Sequence, residues 1–224
     1  CETVISDLQS QSIPLESFND VSTVFHLAAL AGDFRNVDDI ESLYRAFNVD
    51  VTIQLAKLAA DSGVKQFVFV SSVRAGGAAA QGKCMTELDV GETEAAYGKT
   101  KREAEIKLLD ISRSTGLNVT IVRPALVYGL GVRGNMKRFI SAVIDDCLPM
   151  MRETENRLSM IGVDDLVSAL LLVAEEECAS GEIYIATDGV DYTTRKIFNA
   201  VEQALDRPSG KMAIPKSLFY LRAL

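Results

Sequence analysis

The sequence predicts an α/β fold with a doubly wound parallel sheet and a smaller C-terminal lobe. Two nearly continuous apolar runs, 21–27 and 65–72, are typical of strands that are buried on both faces, as in a parallel sheet. A helical stretch separates these runs and another follows them, so strands and helices alternate. The 224 residues suffice for one domain, or for one domain with a small lobe.

Composition narrows the class of protein. The net charge of −8 argues against a nucleic-acid surface and against binding to anionic lipid. No apolar run approaches the ~20 residues of a membrane helix, and residues 1–4 lack the features of a signal peptide. The four cysteines are scattered without a C-x-x-C pair, which is typical of free thiols in a reducing cytosol and predicts no metal site.

The N-terminal part is predicted to hold two strands. Residues 3–5 predict a short strand that ends in a turn at 6–8, and residues 21–27 predict the next one. The second strand ends at Ala28 and Ala29, whose small side chains would let a ligand approach the backbone. Ligands of open α/β sheets lie beyond the carboxyl ends of the strands, so we expect a ligand here.

A loop at 32–38 and a long helix to about Asp61 are expected next, and Gly63 is predicted to end the helix. Asn48 lies inside this helix. Because asparagine is a poor helix former, it either has a special role or lies on the surface.

Tyr97 and Lys101 are four residues apart on a helix that is predicted to end near Gly116. A phenol titrates near pH ~10, and a nearby ammonium lowers its pKa towards the range that suits general acid–base catalysis. Taken alone, the pair also fits a solvated helix face.

The remaining elements continue the alternation of strands and helices. Strands are predicted at 118–122, ended by Arg123 and Pro124, and at 181–186. Helices are predicted at 139–146, after Val163, and at 193–205.

Four segments together resemble the extended short-chain dehydrogenase/reductase superfamily, specifically its NAD-dependent epimerase/dehydratase family. They are Val24-Phe25-His26-Leu27-Ala28-Ala29, the strand end Ser71-Ser72, the pair Tyr97 and Lys101, and Arg123-Pro124 with Tyr128-Gly129. The resemblance implies a Rossmann-like dinucleotide-binding domain over 1–128. It also implies a substrate-binding region over 129–224, parts of which return to the first domain. The family's N-terminal β-α-β unit with its Gly-rich turn has no counterpart here, and the C-terminal part is expected to be incomplete.

The resemblance implies three catalytic residues, Ser72, Tyr97 and Lys101. Tyr97 would take the proton of a sugar hydroxyl, Lys101 would lower the pKa of Tyr97 and bind the ribose of the cofactor, and Ser72 would orient the sugar oxygen. The family's dehydratases carry an Asp-Glu pair after the hydroxyl residue. This chain has Val73 and Arg74 there, which argues against dehydratase chemistry.

Binding residues are also implied. For the cofactor NAD they are Asp7, Leu8, Leu27, Ala28, Ala29, Asn48, Ser71, Tyr97, Lys101, Pro124 and Val127. For the substrate they are Ser72, Arg74, Asn135 and Arg157. Asp7 fits a turn aspartate and Asn135 a helix N-cap equally well. Leu158 stands where relatives often have a second arginine, which weakens the case for a nucleotide sugar.

The implied protein is a cytoplasmic, NAD-dependent nucleotide-sugar epimerase of the UDP-glucose/UDP-galactose 4-epimerase type. It would oxidise a sugar hydroxyl transiently, with a UDP-hexose as substrate, and would form a homodimer through the helices of Asn48 and Tyr97. Two alternatives stay open. One is an NADP-dependent carbonyl reductase of the dihydroflavonol or hydroxysteroid type, and the other is a non-catalytic dinucleotide sensor.

Overall fold

The structure is a computed structural model that describes residues 3–8, 13–31, 39–78, 83–93, 95–148 and 156–207. The loop expected at 32–38 lies outside these ranges. Close contacts divide the chain into two compact units, Cys1–Ala125 with Leu166–Ala186 and Leu126–Asp165 with Thr187–Leu224.

Strands and helices alternate along the described residues. The strands are β1 (Thr23–His26), β2 (Gln66–Val70), β3 (Asn118–Pro124), β4 (Leu126–Tyr128), β5 (Leu158–Gly162), β6 (Ile183–Ala186) and β7 (Asp191–Tyr192). The α-helices are α1 (Ile40–Arg45), α2 (Val51–Asp61), α3 (Ala96–Thr115), α4 (Gly134–Ile144), α5 (Val163–Glu175) and α6 (Thr194–Ala204).

The first unit is built on a parallel sheet with the strand order β1-β2-β3-β6. Phe67 and Phe69 of β2 point to one face, where they share a buried apolar cluster with side chains of α2 and α3. Because neighbouring side chains of a strand point to opposite faces, Gln66 points the other way. There it donates to Thr120 Oγ1 and to the Val173 carbonyl of α5, at 3.0 and 3.4 Å. Helices therefore cover both faces, and the predicted doubly wound, Rossmann-like α/β fold is confirmed.

The long helix that was expected to end at Asp61 contains one wide turn. α1 continues directly into a π-helical segment, Ala46–Asp50, which continues into α2. Gly63 follows the helix with φ of +78°, as its predicted place after the last turn requires. Asn48 lies in the wide turn, and such turns often occur at functional sites.

Several predicted elements differ from the structure. β3 continues through Arg123 to Pro124, where a strand ending at residue 122 is predicted, because both residues pair with β6. Residues 3–5 form no strand, and Ile5 is 96% exposed, because among the described residues no neighbouring strand pairs with this short apolar triplet. The helix expected at 139–146 is α4, which begins earlier, at Gly134, and ends at Ile144. The sequence did not predict the first turn of α4 because Gly134 and Asn135 are poor helix formers. Asp146 follows the helix with φ of +57° and does not continue it.

The second unit holds a three-stranded sheet in the order β4-β5-β7, in which β5 runs parallel to β4 and antiparallel to β7. α6 begins after Thr193, which caps the helix because its side chain accepts the Lys196 N–H at 3.1 Å. Side chains of α4, α6 and the sheet line an apolar cavity of about 510 Å³. Over the described part of the chain, no helix is long and apolar enough to cross a membrane.

Candidate active site

Ser72 and Tyr97 are brought together by the end of β2 and the first turn of α3. Ser72 caps a short 3-10 turn, Val73–Gly76, and its Oγ accepts the Arg74 N–H at 3.2 Å. The Ser72 hydroxyl also lies near the Tyr97 phenol, where it acts to lower the pKa of that phenol. The carboxyl end of a parallel strand and the start of the following helix thus place two hydroxyls side by side, where ligands of such sheets bind.

The Tyr97 phenol is half-buried, and its ring packs edge-on against Tyr44 with centroids 6.2 Å apart. Burial raises the pKa of Tyr97, while the Ser72 hydroxyl and the charge of Arg74 act in the opposite direction. The net shift is upward. The expectation that Lys101 holds this pKa low is therefore wrong for this structure, because the ammonium points elsewhere.

Lys101 is buried one turn after Tyr97, with 1% of its surface exposed. Its Nζ donates to the Val70 carbonyl oxygen at 2.9 Å and lies 4.5 Å from the centre of the Phe69 ring. Burial lowers the pKa of Lys101 to about 8, and the charge of Glu105 opposes that shift. The ammonium is thus held against the end of β2, two residues before Ser72.

Asn48 is fully buried, so the interpretation of this residue as a surface asparagine is wrong. Its Oδ1 accepts the Leu30 N–H at 2.8 Å, and its Nδ2 donates to the Leu30 carbonyl at 3.1 Å and to Thr100 Oγ1 at 3.3 Å. The wide helical turn therefore ties the segment that follows β1 to α3, next to Lys101.

Behind Asn48, a second hydrogen-bonded chain reaches into the core. The Thr52 hydroxyl donates to the Asn48 carbonyl at 2.9 Å, and His26 Nε2 lies 2.8 Å from the same hydroxyl. Because that hydroxyl already donates its proton, His26 donates to it. Burial and the charge of Lys101 lower the pKa of His26 to about 4.

The buried state of His26 predicts a pH-dependent stability. The unfolded chain takes up a proton on His26 as pH falls below 6.5, whereas the folded chain does so only near pH 4. The free energy of unfolding should therefore fall across that window by on the order of 3 kcal/mol. Urea unfolding at several pH values measures it, and His26→Gln should lack this part of the slope. A parent and a variant with the same pH slope would contradict the prediction.

The other predicted cofactor residues of the first unit lie in different settings. Leu27 is 60% exposed beyond the end of β1, and Ala28 and Ala29 beside it are exposed as well. Ser71 and Pro124 are buried at the ends of β2 and β3.

Asp7 and Leu8 precede this site in the chain. Asp7 is exposed, and Leu8 helps to line a cavity of about 490 Å³ beside α2 and α3. None of Ser72, Tyr97 and Lys101 lines that cavity. The cofactor role of Asp7 and Leu8 stays a prediction.

The remaining predicted residues are Arg74 of the first unit and three residues of the second. Arg74 is exposed on the turn after Ser72. Val127 is half-buried on β4 and helps to line a cavity of about 270 Å³. Asn135 is exposed in the first turn of α4, and Arg157 is exposed just before β5.

Sequence reasoning missed a buried ion pair beside the site. Glu105 accepts the Ser71 hydroxyl at 2.5 Å, Arg123 Nε at 3.0 Å and Arg123 Nη2 at 2.6 Å. Glu105 and Arg123 are 2% and 5% exposed. The available signal was that Glu105 follows Lys101 by one helical turn and so shares its face.

Arg102 was missed as well. It donates to the carbonyls of Ala75 and Gly91 at 2.6 and 2.8 Å, and so fastens the turn after Ser72 and the following loop to α3.

Together, the parallel sheet and the Ser72–Tyr97–Lys101 cluster define an extended short-chain dehydrogenase/reductase. More narrowly, the chain belongs to the NAD dependent epimerase/dehydratase family, whose model matches residues 2–186.

Several known proteins are similar to this chain. It is 32% identical over 211 residues to the UDP-glucose 4-epimerase of Vibrio cholerae, with 91% of this chain and 62% of that relative covered. MoeE5, solved in complex with UDP-glucose and NAD, is 27% identical with a TM-score of 0.77, over 92% of this chain and 69% of its own. The UDP-glucose 4-epimerase of Thermotoga maritima, solved with UDP-glucose, shares the fold, with a TM-score of 0.78 at 23% identity over 94% of this chain and 70% of its own. The chain thus spans about three fifths of the length of the Vibrio relative.

Proposed function

We propose that this chain carries the catalytic part of an NAD-dependent nucleotide-sugar epimerase of the UDP-glucose/UDP-galactose 4-epimerase type. The observation that carries the proposal is that Ser72 and Tyr97 lie side by side, with a buried Lys101 one helical turn further on. The likeness to an epimerase at 32% identity supports the sugar chemistry. A non-catalytic sensor is disfavoured because such proteins usually lack the Tyr/Lys pair.

The residues at the strand ends fit a dinucleotide. Leu27, Ala28 and Ala29 present small or apolar exposed side chains beyond β1, and Asn48 fixes the backbone of Leu30 next to them. We propose that these residues, with Lys101, hold NAD. When bound, NAD supplies a ring that can take up a hydride and give it back.

The protein's own residues would handle the proton. Tyr97 takes it from the sugar hydroxyl, and Ser72 keeps the phenol and the sugar oxygen in line by hydrogen bonding. Because burial raises the pKa of Tyr97, positive charge near the phenol is needed before it can act as a base at neutral pH. In this structure Arg74 is the cation whose charge lowers the pKa of the phenol.

We propose that the second unit, with Asn135 and Arg157, binds the nucleotide-sugar diphosphate. Both side chains are exposed, as a binding role requires. We further propose a homodimer through the helices of Asn48 and Tyr97, and a cytosolic location that suits the exposed free thiols of Cys84, Cys147 and Cys178.

The deciding experiment uses the full-length protein, purified without added cofactor and incubated with UDP-galactose. Chromatographic appearance of UDP-glucose is the expected result and would also show that NAD stays bound through the cycle. No conversion, with NAD found in the denatured protein, would contradict the proposed substrate. No conversion and no bound NAD, with NADPH-dependent reduction of carbonyl compounds, would establish the reductase alternative.

A small substitution beside Tyr97 should disturb the site without removing any of its groups. A Cβ at Gly98 would lie 2.7 Å from the Arg74 carbonyl oxygen, so Gly98→Ala must push α3 away from the turn that follows Ser72. A misplacement near 1 Å can cost about 100-fold in rate, and we expect turnover to fall about 10- to 100-fold. Steady-state assays measure it, with Lys99→Ala at a half-exposed neighbour as the control. If Gly98→Ala turned over as fast as the parent, the protein would have accommodated the added Cβ beside the Arg74 carbonyl without displacing the site.

A further inference from the structure

The ionisable groups at the end of β2 form one buried cluster with alternating charge. Glu105 lies on α3 one helical turn after Lys101 and pairs with the guanidinium of Arg123. It raises the pKa of Lys101 against the effect of burial, and it binds Arg123 through two hydrogen bonds of 3.0 and 2.6 Å. One anion thus faces two cations in a place with almost no access to water.

The same carboxylate also fixes the backbone next to Ser72. Its Oε1 accepts the Ser71 hydroxyl at 2.5 Å, while the Ser71 N–H donates to the Val122 carbonyl of β3 at 2.7 Å. Ser71 is therefore held by α3 and by β3 at once. Since Ser72 is the next residue, its position depends on this anchor.

Arg123 extends the cluster to the loop that follows the site. Its Nη1 donates to the Glu87 carbonyl at 3.3 Å, and Glu87 Oε1 accepts the Ile185 N–H of β6 at 2.9 Å. His26 on β1 is a further ionisable group that Lys101 acts on, since the charge of Lys101 lowers the pKa of His26. Tyr97 on α3 and Arg74 after β2 interact with each other.

We propose that Glu105 and Arg123 are positioning residues, whose buried ion pair balances the charge around Lys101 so that its ammonium stays protonated while Ser71 holds Ser72 in place. The inference rests on the proposed function for its meaning in catalysis. Neither residue touches a reacting atom, since both act through Lys101 and Ser71.

If Glu105 and Arg123 act through their charges, substituting either one shifts the pKa of Lys101 in a direction that can be predicted. A role in packing alone predicts no such direction. Glu105→Gln leaves two buried cations together, so the Lys101 ammonium should lose its proton more easily. Arg123→Met frees the Glu105 carboxylate to act on Lys101 alone, so the ammonium should hold its proton more tightly. The two substitutions remove partners of the same ion pair and are expected to shift the titration in opposite directions.

The experiment is a ¹³C NMR titration of the full-length protein labelled on the lysine Cε, with the Lys101 signal identified by its absence in Lys101→Arg. The midpoint in the parent is expected near pH 8. It should fall by about one pH unit in Glu105→Gln, a tenfold change in the proton equilibrium, and should rise in Arg123→Met. Asp110→Asn removes a 61% exposed carboxylate from the same helix and should leave the midpoint in place.

Opposite shifts support the proposal, and an unchanged midpoint or shifts of the same sign overturn it. If one single variant does not fold, the sign of the other decides. Turnover provides a second readout, because the alkaline limb of the pH–rate profile should move down with the midpoint in Glu105→Gln. The titration needs no substrate, so a protein that fails to convert UDP-galactose would contradict the proposed function without changing this result.

Discussion

Replacing Tyr97 with phenylalanine is expected to abolish turnover while leaving the fold intact. The change removes the phenol that lies beside Ser72 and would take the substrate proton, whereas the ring and its edge-on contact with Tyr44 remain. Loss of a general base typically costs about 10²- to 10⁴-fold, and we expect kcat to fall by that factor. Chromatographic assays at saturating UDP-galactose measure it, alongside thermal unfolding.

A matched control is Tyr184→Phe, which removes the hydroxyl of an exposed tyrosine on β6 in the same unit. Its kcat should stay within about twofold of the parent, as for a surface substitution away from the site. If Tyr97→Phe kept more than a tenth of the parent kcat, another group would have to be the base.

The largest effect on stability is expected from Arg123→Ala. This substitution leaves the Glu105 carboxylate buried without its cation, and breaking a buried ion pair in this way costs about 3–5 kcal/mol. Urea unfolding should show a lower midpoint with an unchanged slope. By comparison, Arg113→Ala breaks an ion pair whose side chains are 74% and 61% exposed, and it should change the free energy of unfolding by less than about 1 kcal/mol. If both variants lost the same free energy of unfolding, the buried ion pair would stabilise the fold no more than the exposed one does.

Much of the fold was predictable because parallel strands buried on both faces carry uninterrupted apolar runs. The runs around Phe67 and Val119 became neighbouring strands, and Gly63 and Gly116 ended the helices that precede them. The prediction of a strand at 3–5 was wrong because a strand needs a neighbouring strand to hydrogen-bond with. Three apolar residues in sequence carry no information about that partner.

The sequence predicted which residues form the candidate site. It predicted the charge interactions among those residues less well. The spacing of Tyr97 and Lys101 gives a shared helix face, but a lysine side chain is long and flexible, and here it donates to Val70. The pair of Glu105 and Arg123 joins a helix to a strand 18 positions further on. The sequence indicates that Glu105 shares a helix face with Lys101, but it does not indicate that Arg123 lies beside Glu105.

The wide turn at Ala46–Asp50 has a consequence for how this helix can change in evolution. A π turn accommodates one extra residue in an otherwise regular helix, so deleting one residue there would restore ordinary helical hydrogen bonding. The shortened helix would be more regular, but Asn48 would rotate away from Leu30 and Thr100. Loss of a single codon could thus yield a more stable helix with an unanchored site, and selection for activity would keep the irregular length.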